Sequence, residues 1–233
     1  SLLAYELGML LKKKFGLPIF NPLLISIAVV IVFLAVFDIN YQNYNDGAKY
    51  LSYLLTPATV CLAIPLYEQM EALKKNIKAI LAGILSGVLT SLTVVLALAL
   101  IFNLNHKMYV TLLPKSITTA IGMGVSEELG GAVTITVAVI IITGVLGNML
   151  AETLCKLFHI EEPIAKGISI GSASHAIGTA KAMEMGDVEG AMSSLSIAVA
   201  GILTVVGASI YAMFILSLIH ISEPHETPEH LVC

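Results

Sequence analysis

The chain has 233 residues, of which 57% are hydrophobic and only 12% are charged, and its mean hydropathy is +0.92. Because about a quarter of the residues in a soluble domain are charged, this composition excludes a water-soluble protein and predicts an integral protein of the lipid bilayer. The formal net charge is −4, but three of the 16 acids lie in the polar C-terminal end, so the membrane part is near neutral. All 12 basic residues are lysines. An anion would therefore be held by lysine, hydroxyls and helix ends instead of arginine, and we expect no nucleic acid partner.

The residues that would support metal binding or catalysis are not in the required arrangement. Cys61, Cys155 and Cys233 are scattered without a CxxC pair or a nearby histidine set, so we expect no disulfide framework, no metal and no cofactor. Ser174 and His175 are adjacent and point in different directions, and the sequence has no His-Glu-x-x-His motif. The sequence therefore predicts a protein that is not an enzyme.

Lysines mark the first helices in chain order. Residues 1–11 form an apolar run too short to cross the bilayer, which predicts the end of a helix whose beginning is missing from this sequence. Lys12, Lys13 and Lys14 end that helix and, by the positive-inside rule, lie in the cytoplasm. The next span is predicted at 18–37, and the lysine-free loop 38–47 is predicted outside.

Residues 49–67 interrupt the apolar pattern. Pro57 and Pro65 each remove a backbone donor and disfavour helix at the preceding residue. Two interpretations remain: a proline kink in a simple span, or a broken helix that lines a cavity, where irregular backbone is tolerated. In the second interpretation Thr56, Pro57 and Thr59 are candidate binding residues.

A second lysine cluster precedes the next span. Lys74, Lys75 and Lys78 predict a cytoplasmic turn, and the charge-free residues 79–103 predict a membrane-spanning helix. Within that helix the spacing of Gly83 and Gly87 predicts close packing against a neighbouring helix.

Residues 109–131 predict a hairpin that enters and leaves the membrane on one side, because neither half is long or apolar enough to be a span. Ser116 is expected to cap a short helix whose N-terminus attracts an anion, and Lys115 adds positive charge there. Ser126 is expected to begin another helix with Glu127 and Glu128 in its first turn. These two acids serve either that local electrostatic role or a role in coupling.

The second half of the chain repeats the order of the first half. A span, a broken segment and a long span are predicted at 18–37, 49–67 and 79–103, and again at 132–150, 163–185 and 190–219, with residues 186–189 as a connection. Lys156 and Lys166 flank the loop 155–166 and, with the hairpin before it, place this loop inside. The hairpin between the two copies gives them opposite topology, as in transporters built from inverted repeats with discontinuous helices. The sequence thus predicts an all-α polytopic membrane protein with inverted repeats, broken helices and a re-entrant hairpin.

Residues 171–184 are the second candidate centre, since a polar run at membrane depth normally faces a cavity or a bundle interior. His175 is either a buried hydrogen-bonding residue or a substrate contact or proton carrier, because the usual histidine pKa of about 6.5 suits proton coupling. Lys181 either pairs with Glu184 on one helix face or contacts substrate. Residues 221–233 form a polar, proline-broken tail, predicted to be disordered or not native to the protein.

Several motifs resemble the LrgB/CidB membrane protein family over about residues 1–220, as a single transmembrane domain. They are Asn21-Pro22-Leu, Leu55-Thr-Pro-Ala-Thr-Val, Pro114-Lys-Ser-Ile-Thr-Thr and Ser174-His-Ala-Ile-Gly-Thr-Ala. The resemblance implies a bacterial cytoplasmic membrane protein of one of two functional classes. One class is an antiholin-like or holin-like regulator of murein hydrolase activity that acts with a small LrgA/CidA-type partner. The other is a carrier of glycolate, glycerate, lactate or pyruvate.

The residues favour a secondary transporter of small monocarboxylates, because a pore former needs no fixed lysine, histidine and hydroxyls at helix breaks. We expect the protein to form a homo-oligomer. The candidate substrate-binding residues are Thr56, Pro57, Thr59, Lys115, Ser116, Thr118, Thr119, Glu127, Ser174, His175, Gly178, Thr179 and Lys181.

Overall fold

The described part of the chain, residues 2–15, 20–54, 57, 60–61 and 63–222 of a computed structural model, is helical and contains no strand. Long helices alternate with short ones. In chain order they are α1 Leu2–Phe15, α2 Pro22–Val36, α3 Tyr41–Ser52, α4 Ala63–Glu68, α5 Met70–Ile101, α6 His106–Leu112, α7 Thr119–Glu128, α8 Val133–Leu157, α9 Pro163–Met185 and α10 Asp187–Ser222.

Three of these helices are long and apolar enough to cross a bilayer: α5, α8 and, in α10, residues Asp187–Phe214. They lie where the sequence predicts spans at 79–103, 132–150 and 190–219, which confirms an all-α membrane protein. The predicted span 18–37 contains α2, which has 15 residues. It begins late because the Asn21 side chain accepts from the N–H groups of Leu23 and Leu24, and Pro22 occupies the first helical position.

The lysine clusters lie at helix ends, with one correction to the sequence prediction. Lys12, Lys13 and Lys14 occupy the last turn of α1 as predicted. The cluster from Lys74 to Lys78 is not in a turn but in the first turns of α5, because residues 70–78 contain good helix formers and no glycine or proline. The connection predicted at 186–189 is likewise shorter: only Gly186 separates α9 from α10.

Helices α6 and α7, with the turn 113–118 between them, form the predicted hairpin, which we call the first hairpin (residues 106–128). The Thr136 hydroxyl on α8 hydrogen-bonds both to Thr111 O on α6 and to Ser126 Oγ on α7. Closer to the turn, a Cβ on Gly122 would lie 3.5 Å from Pro114 O. The two short helices therefore run antiparallel, and residues 113–118 are the tip.

Helix α9 is a second hairpin, because its two arms, 163–174 and 176–185, fold back on each other at the non-helical residue His175. A Cβ on Gly178 would lie 3.1 Å from Ile170 Cγ2, whereas eight residues of straight helix would separate them by about 12 Å. Gly171 of one arm and Thr179 of the other both contact Ser193 of α10. The broken segment predicted at 163–185 is thus confirmed, and both of its ends lie at the same end of the bundle.

The two hairpins enter the bundle from opposite ends and meet beside α8. Near the N-terminus of α8, Thr136 contacts the first hairpin, and further along Asn148 and Glu152 contact the second arm of the second hairpin. Between these levels, Ile140 O accepts a hydrogen bond from His175, and the Ile140 side chain packs against Gly122. Ile140 therefore marks the level at which the two tips come together.

Candidate functional site

A cavity of about 850 Å³ lies between α5, the first arm of the second hairpin and the tip of the first hairpin. It follows one face of α5 from Asn76 to Val94, a length of about 27 Å at 1.5 Å per residue. Its polar lining residues are Asn76, Ser86, Thr90, Ser91, Lys115, Ser116, Glu162, Ser169 and Ser172. The cavity thus has hydroxyls along its length and one described lysine, Lys115, near its Ser91 end, in the middle of the spanning part of α5.

Close packing brings the walls of this cavity together at the level of Gly87. A Cβ on Gly87 would lie 2.8 Å from Ser172 Oγ, and one on Gly83 would lie 3.3 Å from Ile168 Cγ2. The glycines predicted to mediate helix packing therefore do so, and their partner is the first arm of the second hairpin.

Lys115 and Ser116 lie at mid-depth of the spanning part of α5. Ser116 Oγ hydrogen-bonds to Ser91 Oγ at 2.9 Å and accepts from Lys115 Nζ at 3.0 Å. Ser91 is the midpoint of the charge-free residues 79–103. Among the ion pairs that the structure describes, none includes Lys115. Its ammonium group therefore donates to the Ser116 hydroxyl, which also bonds to Ser91, and no described carboxylate neutralises it.

Ser174 and His175 form the tip of the second hairpin, directly after Ser172 and Ala173 of the cavity wall. Both side chains are buried, and neither lines the cavity. His175 adopts φ 43° and ψ −142°, a conformation that costs a non-glycine residue about 1–3 kcal/mol unless its surroundings impose it. Its Nε2–H donates to Ile140 O at 3.0 Å. The structure thus favours the buried hydrogen-bonding role over direct contact with a cavity ligand.

The glycines of α8 make room for this tip. A Cβ on Gly144 would lie 2.7 Å from Cε1 of His175, and one on Gly147 would overlap the Ser174 hydroxyl. Any side chain at Gly147 would therefore push the tip away from α8.

Gly178 and Thr179 hold the second arm of this hairpin in place. Thr179 is fully buried, and its hydroxyl hydrogen-bonds to His175 O at 2.9 Å and to Ser193 Oγ at 2.7 Å. These two residues therefore lie within the packing behind the tip, outside the cavity lining.

Lys181 lies near the base of the second hairpin in a network of ion pairs. Its Nζ is 2.7 Å from Glu152 Oε1 and 3.2 Å from Glu184 Oε2, and Lys12 of α1 reaches the same Glu184 oxygen at 3.2 Å. The predicted pairing with Glu184 is confirmed, and the shorter contact with Glu152 was not predicted.

Of the remaining candidate residues, Pro57, Thr118 and Thr119 do not line the cavity. Thr56 and Thr59 lie outside the described residues, and Pro57 is exposed. Ser116 does not cap a helix: the N-cap of α7 is Thr118, whose side chain makes no capping hydrogen bond, and Thr119 is the first helical residue.

Glu127 lies away from the cavity, and the helix predicted to start at Ser126 is wrong. Ser126, Glu127 and Glu128 are the last three residues of α7, and Glu127 is exposed at the open end of the first hairpin. The helix ends here because Gly130, at φ 78°, adopts the left-handed conformation that commonly follows a helix C-terminus.

The structure adds three residues that the sequence analysis did not single out. Ser91 and Ser172 line the cavity, and Asn148 donates to Ile177 O beside the tip. Ser91 continues the small-residue spacing of Gly83 and Gly87, and Asn148 is an amide inside an apolar span. Both signals are readable in the sequence, because polar residues at membrane depth normally face protein or a cavity.

Residues 1–214 match the LrgB-like family. The chain belongs to this family. Two relatives named "Antiholin-like protein LrgB", from Bacillus mycoides (strain KBAB4) and Bacillus cereus (strain B4264), are each 40% identical to it over 216 residues, which cover 92% of this chain and 94% of the relative. No solved structure matches the chain significantly.

Proposed function

We propose that the protein is a carrier of small monocarboxylates of the glycolate, lactate or pyruvate type, with Lys115 as the group that attracts the anion. The observation that carries this proposal is the position of Lys115 at mid-depth, at the inner end of a hydroxyl-lined cavity. A charge at this depth without a carboxylate partner among the described residues is costly, and a mobile counter-ion would stabilise it. A small carboxylate is such a counter-ion.

The groups around Lys115 suit a small anion that carries a single negative charge. Lys115 supplies an ammonium group, and Ser91 and Ser116 supply hydroxyls that can rotate to donate to a carboxylate. Charge-assisted hydrogen bonds of this kind are about twice as strong as neutral ones. Two hairpins that meet at mid-depth also resemble the discontinuous helices that form the binding sites of many secondary transporters.

The names of the relatives favour a second function, antiholin-like regulation of cell lysis. In that case the protein would act with a small LrgA/CidA-type membrane partner in the bacterial cytoplasmic membrane, as a homo-oligomer or a mixed assembly. This role does not by itself require a lysine inside the membrane, and it does not conflict with carrier activity.

Transport assays with purified protein in liposomes test the carrier proposal against pore formation. A carrier takes up labelled glycolate, lactate or pyruvate with saturation, competes among these anions and excludes sucrose. Leakage of dyes that falls gradually with dye size, without saturation, would support pore formation and contradict the carrier proposal. Liposomes without protein and liposomes with the Lys115→Ala variant are the controls.

A further inference from the structure

Asn21 and Asn148 form a chain of hydrogen bonds that lies outside the lining of the proposed binding cavity. Asn21 Nδ2 donates to Asn148 Oδ1 at 2.6 Å, and Asn148 Nδ2 donates to Ile177 O at 2.7 Å. At the other end, Asn21 Oδ1 accepts from the N–H groups of Leu23 and Leu24. The chain connects the N-terminus of α2, through α8, to the second arm of α9.

The N-terminus of α2 fixes the direction of this chain. Because the backbone N–H groups of Leu23 and Leu24 point at one atom of the Asn21 amide, that atom must be oxygen, and the nitrogen then faces Asn148. Asn148 must accept with its oxygen, which leaves its nitrogen for the carbonyl of Ile177. Amide orientation is assigned from such networks, and here each step determines the next. An aspartate at either position would lose a required donor.

The chain ends two residues beyond the strained residue of the tip. A non-glycine residue with the φ of His175 persists only where its surroundings over-determine it. Helix α8 holds the tip through two hydrogen bonds: Ile140 O accepts from the His175 ring, and Asn148 donates to Ile177 O. These two anchors are eight residues apart on α8, which is about 12 Å.

We propose that Asn148, oriented by Asn21, is a positioning residue that fixes the tip of the second hairpin against the binding cavity. This proposal rests on the proposed function for its consequence in transport, but the position of the tip can be tested without transport. Asn21 is buried, so loss of its donor leaves the Asn148 oxygen unpaired and releases the Asn148 amide. The tip then loses one of its two anchors on α8.

Two substitutions isolate this chain from helix capping. Asn21→Asp keeps the oxygen that caps α2 and removes the donor to Asn148, and Asn148→Asp removes the donor to Ile177. The matched control is Asn40→Asp, because Asn40 caps α3 in the same way, through Gln42 N, at an exposed position. Asn40 belongs to neither the cavity nor the tip.

The readout is the labelling rate of a cysteine at Ala173→Cys by a small maleimide, in detergent-solubilised full-length protein whose native cysteines are replaced by alanine. Ala173 lines the cavity beside the tip. Hydrogen bonds between helices in membranes shift equilibria by about 3-fold to 20-fold. We expect Asn21→Asp and Asn148→Asp to change the labelling rate within this range, relative to the Asn40→Asp control.

Glycolate uptake is measured with the same variants, and we expect a lower maximal rate for both. If labelling in Asn148→Asp and Asn21→Asp equals that of the control, the positioning role is wrong, whatever the transport result. If labelling changes but the parent protein transports no carboxylate, the positioning of the tip is supported and the proposed function is refuted. A drop in thermal stability equal for both variants, with unchanged labelling, would assign the chain to folding alone and overturn the proposal.

Discussion

Replacement of Lys115 by alanine tests the proposed binding site most directly. Two unit charges about 4 Å apart attract by about 4 kcal/mol at an effective dielectric constant of 20. Measured losses on removing one partner of a buried charged pair are about 2–5 kcal/mol. Lys115 is only partly buried and lines an open cavity, so water can replace part of its contribution, and we take the lower value. Lys115→Ala should therefore raise the apparent KM for the carboxylate by about 30-fold.

Matched variants show whether the charge, and not the bulk, of Lys115 is responsible. Lys115→Met keeps most of the side-chain length without the ammonium group, so it should lose as much affinity as Lys115→Ala. Lys115→Arg keeps the charge and should retain more affinity. Lys74→Ala removes an exposed lysine near the start of α5 and should leave affinity unchanged. The measurement is saturable uptake of labelled glycolate, lactate and pyruvate into liposomes, at equal amounts of folded protein. If Lys115→Ala has the KM of the parent, the anion does not bind at this lysine.

Three further predictions concern the tips and the topology. His175→Ala should lower uptake at every pH tested, because the ring anchors the tip through Ile140 O; a lost pH dependence with the rate retained would instead identify a proton carrier. Gly147→Val should reduce uptake and thermal stability more than Gly124→Val, since Gly147 contacts Ser174, whereas no described atom lies within 4 Å of a Cβ on Gly124; equal effects would contradict the close packing. Single cysteines at Asn76 and His159 should both be labelled from the cytoplasm and one at Asn43 from outside; labelling of the first two from opposite sides would refute the inverted topology.

The sequence predicts the ends of the second hairpin and a break within it, but not the reversal of direction at its tip. Helix α9 begins at Pro163 and ends before Gly186, because proline is favoured in the first turn of a helix and glycine after the last. The turn at His175 has no such signal, since its left-handed conformation is imposed by contacts with α8 that are distant in sequence. Local propensity therefore gives the length of the segment but not its reversal of direction.

The errors in the first hairpin have a similar cause. Acids favour the start of a helix, and that rule alone places Ser126 at a helix N-terminus. The pair Gly130 and Gly131 is the stronger signal, because glycine with positive φ ends helices. Ser116 was expected to cap a helix, but its hydroxyl is engaged by Ser91, a residue that is distant in sequence and packed beside it only in the fold. The mid-depth position of Ser116 and Lys115 follows from this contact, which local sequence rules do not capture.

Helix α8 unites these observations, because a hairpin that ends inside a membrane leaves backbone groups without water and needs partners for them. Along one side of α8, Thr136 bonds to Thr111 O in the first hairpin, Ile140 O accepts from His175, and Asn148 donates to Ile177 O. One spanning helix thus supplies partners to both hairpins and sets the distance between their tips. Substitutions that remove these hydrogen bonds on α8 should therefore alter the shape of the cavity before they unfold the bundle. Substitutions on the exposed side of α8, such as at Ile142 and Leu146, should leave the cavity unchanged.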